Sequence, residues 1–277
     1  MKASRRLDTP DFGLNESPPL VTTSLAARPQ SVAAQGLRDD PPTQPTSACV
    51  ACPLHEVCPG VEIAEPGRPF CEGMLTPSVH TIPPRRTILH PTEWSDFVPV
   101  VCRGWAMSSV ALPDGRRQVL AFHLSGDLVS TASLFEPLSG RRVEPLTTVT
   151  CRMFKRSELQ AVAFQRPELF ERLSKMWVEE RVQADKLALD LGRRRAEERI
   201  ARLIQSLMER LQKRGIAQDH TIEFPLRQRH IADATGLTPV HVSKVLSGFR
   251  RAGLIRISER ILTVLDPVGF GRLATLR

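Results

Sequence analysis

IADATGLTPVHVSKVLSGFRRAGLI, residues Ile231–Ile255, decides how this chain is read. A short helix is predicted from Arg227 to Thr235, and Gly236-Leu237 form a tight turn after it. Thr238 then offers an N-cap hydroxyl, with Pro239 at the first helical position, where its missing N–H costs nothing. The second helix should run to about Ala252. Val242, Val245, Leu246 and Phe249 recur at i, i+3, i+4 and i+7, so they face inward and leave Val240, His241, Ser243, Lys244, Ser247 and Arg250 outward. Helix, glycine turn, helix is the helix-turn-helix arrangement, whose second helix enters the major groove of DNA. Leu254–Leu265, with a turn around Ser258-Glu259-Arg260, reads as a β-hairpin wing. Lys244 can donate to guanine O6/N7 or to a phosphate, Ser243 can bond several base edges, and His241 can donate to either. Arg227, Arg229 and Arg250 are predicted phosphate contacts.

Upstream, Ser157–Arg214 has a helical pattern, with Leu169, Leu173, Met176, Ala184, Leu187, Ala188 and Leu191 mostly spaced by three, four or seven. Such a length, bordered by Glu179, Glu180, Arg181 and Lys186, predicts a coiled-coil dimer helix, with Leu173, Met176, Ala184, Leu187 and Leu191 in the seam. Two shorter helices packed inside one subunit are the alternative. Between about Leu75 and Phe154 the pattern is β-rich: Val98–Cys102, Trp105–Leu112, Gln118–Leu124 and Leu146–Phe154 are short apolar runs, and Pro113-Asp114-Gly115 is a hairpin signal. Regularly spaced short strands predict a barrel or sandwich. Residues 1–47, rich in Pro, Ser, Thr and small residues without a period, read as a flexible tail.

The 277 residues allow about two domains at ~100–200 residues each. With 41% hydrophobic and 25% charged residues, and no apolar run near the ~20 that a membrane helix needs, a soluble protein is predicted. The N-terminus lacks the apolar core of a secretory signal, which predicts a cytoplasmic location in a reducing compartment. The net charge of +8 is concentrated: Gly192–Arg260 holds 15 Lys/Arg against 7 Asp/Glu. A basic C-terminal segment asks for a polyanion, with nucleic acid the default. No nucleophile–base–orienter set and no phosphate-binding glycine loop is present, and His80, His90 and His123 stand apart, so an enzyme is not expected.

Cys49, Cys52 and Cys58 have C-x2-C-x5-C spacing, and Cys151 follows far downstream. Four thiolates are soft ligands that suit zinc or an iron–sulfur cluster, and the spacing alone does not choose between them. Cys71 and Cys102 fall outside this set and read as buried or spare thiols, with an alternate ligand or an oxidation site as the other reading.

With these motifs in place, the chain resembles the Crp/Fnr superfamily of bacterial transcription regulators over roughly residues 75–277. The likeness is carried by Asp114-Gly115-Arg116-Arg117-Gln118, by Phe122–Leu128 (FHLSGDL), by Arg195-Ala196-Glu197-Glu198-Arg199 and by Ile231–Ile255. It implies an α+β chain with an N-terminal cupin-like (cyclic-nucleotide-binding-like) β-barrel, a long dimerisation helix and a C-terminal winged helix-turn-helix. The implied divisions are a tail over 1–47, a cysteine-ligand loop plus β-barrel sensor domain over 48–165, a dimerisation helix over 166–195 and a winged helix-turn-helix domain over 196–277. Within the superfamily the chain is similar to the Fnr-type oxygen sensors, in which three clustered N-terminal cysteines and one in the barrel hold a [4Fe–4S] cluster. Cys151 stands 93 positions after Cys58, in agreement with that arrangement. The resemblance therefore implies Cys49, Cys52, Cys58 and Cys151 as ligands of an oxygen-labile [4Fe–4S] cluster that controls dimerisation and DNA binding. The alternative is a structural zinc site or another small-molecule effector, without oxygen sensing. A palindromic promoter, RNA polymerase (through loops such as Leu112–Gly115) and a second copy of the chain are the implied partners. Two departures stand out: the Glu-x-x-Ser-Arg set of the Fnr recognition helix is replaced by Val240, Ser243 and Lys244, and Ser130–Gly140 lacks the spacing of a cyclic-nucleotide cassette.

Overall fold

A computed structural model describes residues 52–58, 75–138 and 140–275. The predicted tail over 1–47, together with Cys49 and Cys71, lies outside the described residues. Seven antiparallel strands form two sheets: β1 (Ser78–Ile82), β2 (Phe97–Arg103), β3 (Ala106–Ala111), β4 (Arg117–His123), β5 (Asp127–Leu128), β6 (Arg142–Pro145) and β7 (Val149–Lys155). The first sheet has the order β1-β7-β2-β5 and the second β4-β3-β6. β3 and β4 are closed by the predicted Pro113-Asp114-Gly115 turn, where Asp114 accepts from the Arg116 amide at 3.0 Å and Gly115 takes φ +85°. Predicted strands fall on β2, β3, β4 and β7. β1, β5 and β6 carry too few apolar residues to stand out.

Alternation along these strands separates three apolar layers. Ile82, Val101, Val149 and Cys151 of the first sheet meet Ala106 and Val143 of the second, and this is the core between the sheets. The opposite face of the first sheet, with Val98, Val100 and Phe154, is covered by Leu54, Val57, Cys52 and Cys58 and by Leu159, Leu169 and Leu173. On the far face of the second sheet, Met107, Val119 and Phe122 join the core of the C-terminal module.

Three helices follow the strands: α1 (Arg156–Gln165), α2 (Pro167–Arg193) and α3 (Ala196–Lys213). The predicted continuous pattern is thus interrupted twice. Arg166 is extended (φ −119°, ψ 99°) because Pro167 disfavours the helical region for the residue before it, and Pro167 then starts α2 without needing a donor. At the second break Arg194 is extended and buried, and its guanidinium donates to the Ala274 carbonyl at 3.1 Å and pairs with Asp190 at 2.6 Å. No helix among the described residues is long and apolar enough to cross a membrane.

The C-terminal part comprises β8 (Thr221–Glu223), α4 (Gln228–Thr235), α5 (Pro239–Arg251), β9 (Ile255–Ser258), β10 (Ile261–Val264) and α6 (Pro267–Ala274). Its sheet has the order β8-β10-β9, so the predicted two-stranded wing gains a third strand from upstream of the helices. Glu259 and Arg260 both have positive φ, the backbone that a tight two-residue hairpin turn requires.

Candidate functional site

The helix-turn-helix is built as its residues dictate. Gly236 ends α4 with φ +66°, and an added Cβ there would come within 3.2 Å of Leu191. The Thr238 hydroxyl accepts from the His241 amide at 3.2 Å, capping α5. Val242, Val245, Leu246 and Phe249 are buried, and Phe249 meets the Phe270 ring edge-on at 5.6 Å. Along the opposite side Val240, His241, Lys244 and Arg250 are exposed and Ser243 is half-buried, so the predicted reading residues share one outward face. Arg227 and Arg229 are exposed at the start of α4.

His230 is a residue of this surface that the sequence reading passes over. Its Nδ1 accepts from the Arg227 amide at 3.1 Å, which satisfies one of the donors that a helix start leaves open, and the Arg229 side chain lies 3.2 Å from Nε2. Burial, and then the charges of Arg229, Arg117 and Arg227, push its pKa down to about 4, so the ring is neutral and free to accept. The signal was a His three positions after the N-cap.

This module is docked on the second sheet by ions as well as apolar contact. Arg117 of β4 pairs with Asp233 of α4 at 2.7 Å and with Glu144 of β6 at 3.2 Å, and Gln118 donates to the Ala234 carbonyl at 3.2 Å. Asp127 receives both Arg210 of α3 and Arg214, the residue that caps its end, while these arginines donate to the Phe122 and Ser125 carbonyls at 2.9 and 2.6 Å. Burial works against the Asp127 charge, but Arg210 and Arg214 outweigh it and hold the carboxyl below its ordinary pKa. Beside them, burial pushes buried His123 down to about 4.

Along α2 the predicted seam residues separate. Leu173 is buried and Met176 packs on the same layer, both against the first sheet, and Leu191 lies beside Gly236. Leu187 is half-buried and Ala184 exposed. The large apolar side chains turned to solvent are Phe170, Trp177, Val178, Val182 and Leu189, exposed by 41% or more. The reason is geometric: the first turns of the helix lie along its own barrel, which takes up Leu173 and Met176 within the chain.

The cysteines are placed by the first sheet. The 52–58 segment carries a short 3-10 turn, His55–Val57, and is held by Leu54 and Val57 in the outer layer, by Arg172 of α2 donating to the Pro53 carbonyl at 3.1 Å and by the Leu75 amide donating to the Val57 carbonyl at 3.1 Å. Cys52 and Cys58 are buried there, and Cys102, beside an irregularity between Val101 and Arg103 of β2, packs on the same layer. Cys151 does not. It pairs with Val101 across the β2–β7 ladder and belongs to the core between the sheets, where burial and then nearby Cys102 push its thiol pKa far up. The next residue, buried Arg152, faces the outer layer and donates to the Cys58 sulfur. Among the described residues no group of three or more His, Cys, Asp or Glu side chains is placed to hold a metal ion.

Residues 198–273 match the Crp-like helix-turn-helix domain family. The chain is 34% identical over 166 residues to the nitrogen fixation regulation protein FixK of Bradyrhizobium diazoefficiens, a match covering 59% of this chain and 68% of that protein. It is 32% identical over 197 residues to the transcriptional activatory protein AadR of Rhodopseudomonas palustris, covering 69% of this chain and 79% of that one. In structure it is similar to FixK2 from Bradyrhizobium japonicum, with a TM-score of 0.67 and 27% identity, covering 73% of this chain and all of that chain.

Proposed function

The chain belongs to the Crp/Fnr family of DNA-binding transcription regulators, and we propose that it acts in the cytoplasm as a homodimer on a palindromic promoter. Its division of labour follows the layers: a β-barrel sensor part, the long helix α2 for dimerisation, and the module from Ala196 onward for DNA. The observation that carries this reading is the outward face of α5, where His241, Ser243 and Lys244 stand clear of a buried Val242–Phe249 stripe. Two such helices about one DNA turn apart read two half-sites. Lys244 and Ser243 serve the base edges, His241 an edge or a phosphate, and Arg227, Arg229 and Arg250 the backbone.

The dimer is best supported by the solvent-facing stripe Val178, Val182 and Leu189, with Ala184 and Trp177 beside it. Spacings of four and seven place Val178, Val182 and Leu189 on one line of the helix. RNA polymerase is the proposed second partner, through the exposed Leu112–Gly115 turn.

An oxygen-labile [4Fe–4S] cluster held by Cys49, Cys52, Cys58 and Cys151 is the proposed effector centre, with a structural zinc ion on the same thiolates as the alternative. Among the described residues Cys52 and Cys58 are buried on the outer layer of the first sheet and Cys151 is buried on β7 of the same sheet, facing the core between the sheets.

Selection of preferred sites from random duplex DNA tests the DNA reading. The expected product is a two-fold symmetric motif, and Val240→Glu should add a preference for cytosine at one position of each half-site, because a carboxylate accepts from cytosine N4. Selection of no motif by the intact protein would refute the function. Identical motifs for both proteins would show that residue 240 does not face a base.

A further inference from the structure

We propose that Glu180 is a positioning residue for DNA binding: its carboxylate caps the 3-10 turn Thr131–Leu134 of the barrel, pins α2 there, and so sets the helix register that reaches the helix-turn-helix. The inference rests on the reading of α2 as the link between barrel and DNA-binding module. Its first ground is a stripe. Leu173, Met176, Glu180, Leu187 and Leu191 recur at spacings of three, four and seven, so they share one line of the helix, and Glu180 is their only charged member. Leu173 and Met176 pack on the outer layer of the first sheet. At the other end Leu191 stands against Gly236, where an added Cβ would come within 3.2 Å of it. Between them the Glu180 carboxylate accepts from the Thr131 amide at 2.8 Å. A helix rises about 1.5 Å per residue, so Leu191 lies roughly 16 Å beyond this pin, on the same line.

The second ground is the turn itself. Ser130 gives it no side-chain cap and Thr131 is buried, so the acceptor for the Thr131 amide comes from Glu180, 49 positions downstream. The far end of the turn meets the same helix, with the Phe135 ring centred 6.3 Å from that of Trp177, one helical turn before Glu180. Burial raises the Glu180 pKa, and Asp127 adds to the rise, against the bond from Thr131 and the charge of Arg141. The ionised carboxylate is therefore held at a cost at neutral pH, relieved as pH falls. What it contributes is register, as a single polar residue does in an otherwise apolar helix seam.

Full-chain Glu180→Leu, Glu180→Gln and Leu173→Ala proteins test the assignment. Hydrogen exchange at the Thr131 amide reads the cap: it should speed about tenfold or more in Glu180→Leu and stay near wild type in Glu180→Gln, whose side-chain carbonyl still accepts. Exchange at the Leu237 amide, in the turn that Leu191 adjoins, reads the register at a distance, and should rise in Glu180→Leu alone. Affinity for the DNA site selected by wild type should fall about tenfold in Glu180→Leu and hold in Glu180→Gln. Leu173→Ala empties the same stripe without touching the pin, so it should lower the urea midpoint and leave affinity within about threefold. Unaltered Thr131 exchange in Glu180→Leu would overturn the proposal. Equal loss of DNA affinity in Leu173→Ala and Glu180→Leu, or in Glu180→Gln and Glu180→Leu, would do so as well. Failure of wild type to select any site refutes the regulator reading instead, and the two exchange measurements still decide the pin.

Discussion

Single side chains decide the chemistry of this molecule by which way they point. Lys244 is exposed on the outward face of α5, whereas Val245 beside it is buried. Lys244→Ala is expected to relax preference at one symmetric base pair of each half-site, at a discrimination of about 1–3 kcal/mol. Arg250→Ala should act differently, weakening all sequences alike and lowering the salt slope of binding by about one, as measured by fluorescence anisotropy across a salt series. The two buried histidines predict a pH effect. His123 and His230 both have folded pKa values near 4 against an ordinary 6.5, so the unfolded chain takes up protons that the folded chain refuses. Stability is therefore complete above pH 6.5 and lost progressively as pH falls toward 4. Between these limits each contributes a slope approaching about 1.4 kcal/mol per pH unit, and His123→Leu should remove one such contribution from urea midpoints measured between pH 6.5 and 5.

At the scale of elements, a turn and a helix carry the most risk. Gly236 closes α4 with a left-handed backbone, and a methyl group there meets Leu191 of α2. Gly236→Ala is expected to cost about 1–2 kcal/mol from the backbone alone, read as a lower urea midpoint. The long helix α2 has one flank on its own barrel and another in solvent, and substitutions on the two should separate cleanly. Leu173→Ala empties a buried site and should cost about 2–5 kcal/mol of stability while the dimer persists. Val182→Glu should leave stability of the subunit nearly unchanged but place a charge in the proposed seam, giving monomer in sedimentation velocity.

For the whole molecule, Asp127 is the ion that joins barrel to DNA-binding module. Arg210 of α3 and Arg214 at its C-terminal cap converge on it, and the Leu124 amide donates to it at 2.7 Å. Asp127→Ala strands both guanidinium groups at a partly buried interface, a loss on the order of 3–5 kcal/mol. Calorimetry is expected to show the single unfolding transition dividing into two, barrel and module, with the module transition little shifted because its own core of Ile200, Ile204, Leu207, Leu246 and Phe249 is intact.

What the sequence determined by itself is local. Thr238-Pro239, Gly236 and the i, i+3, i+4, i+7 stripe of α5 are rules of capping, turn and period, which act within a few residues, so the helix-turn-helix was legible along with its outward face. The hairpin at Pro113-Asp114-Gly115 and the break at Pro167 were open to the same reasoning, and the expected start of the dimerisation helix at 166 falls on that break. Which partner a face meets was decided by tertiary structure. The stripe of Leu173 and Met176 has the period of a dimer seam, yet it packs on the chain's own first sheet, because periodicity marks a buried flank and not what buries it. Cys151 has the spacing of a ligand, but sequence distance does not carry strand parity, and only the register of β7 tells that its side chain faces the core between the sheets while Cys52 and Cys58 lie on the outer layer.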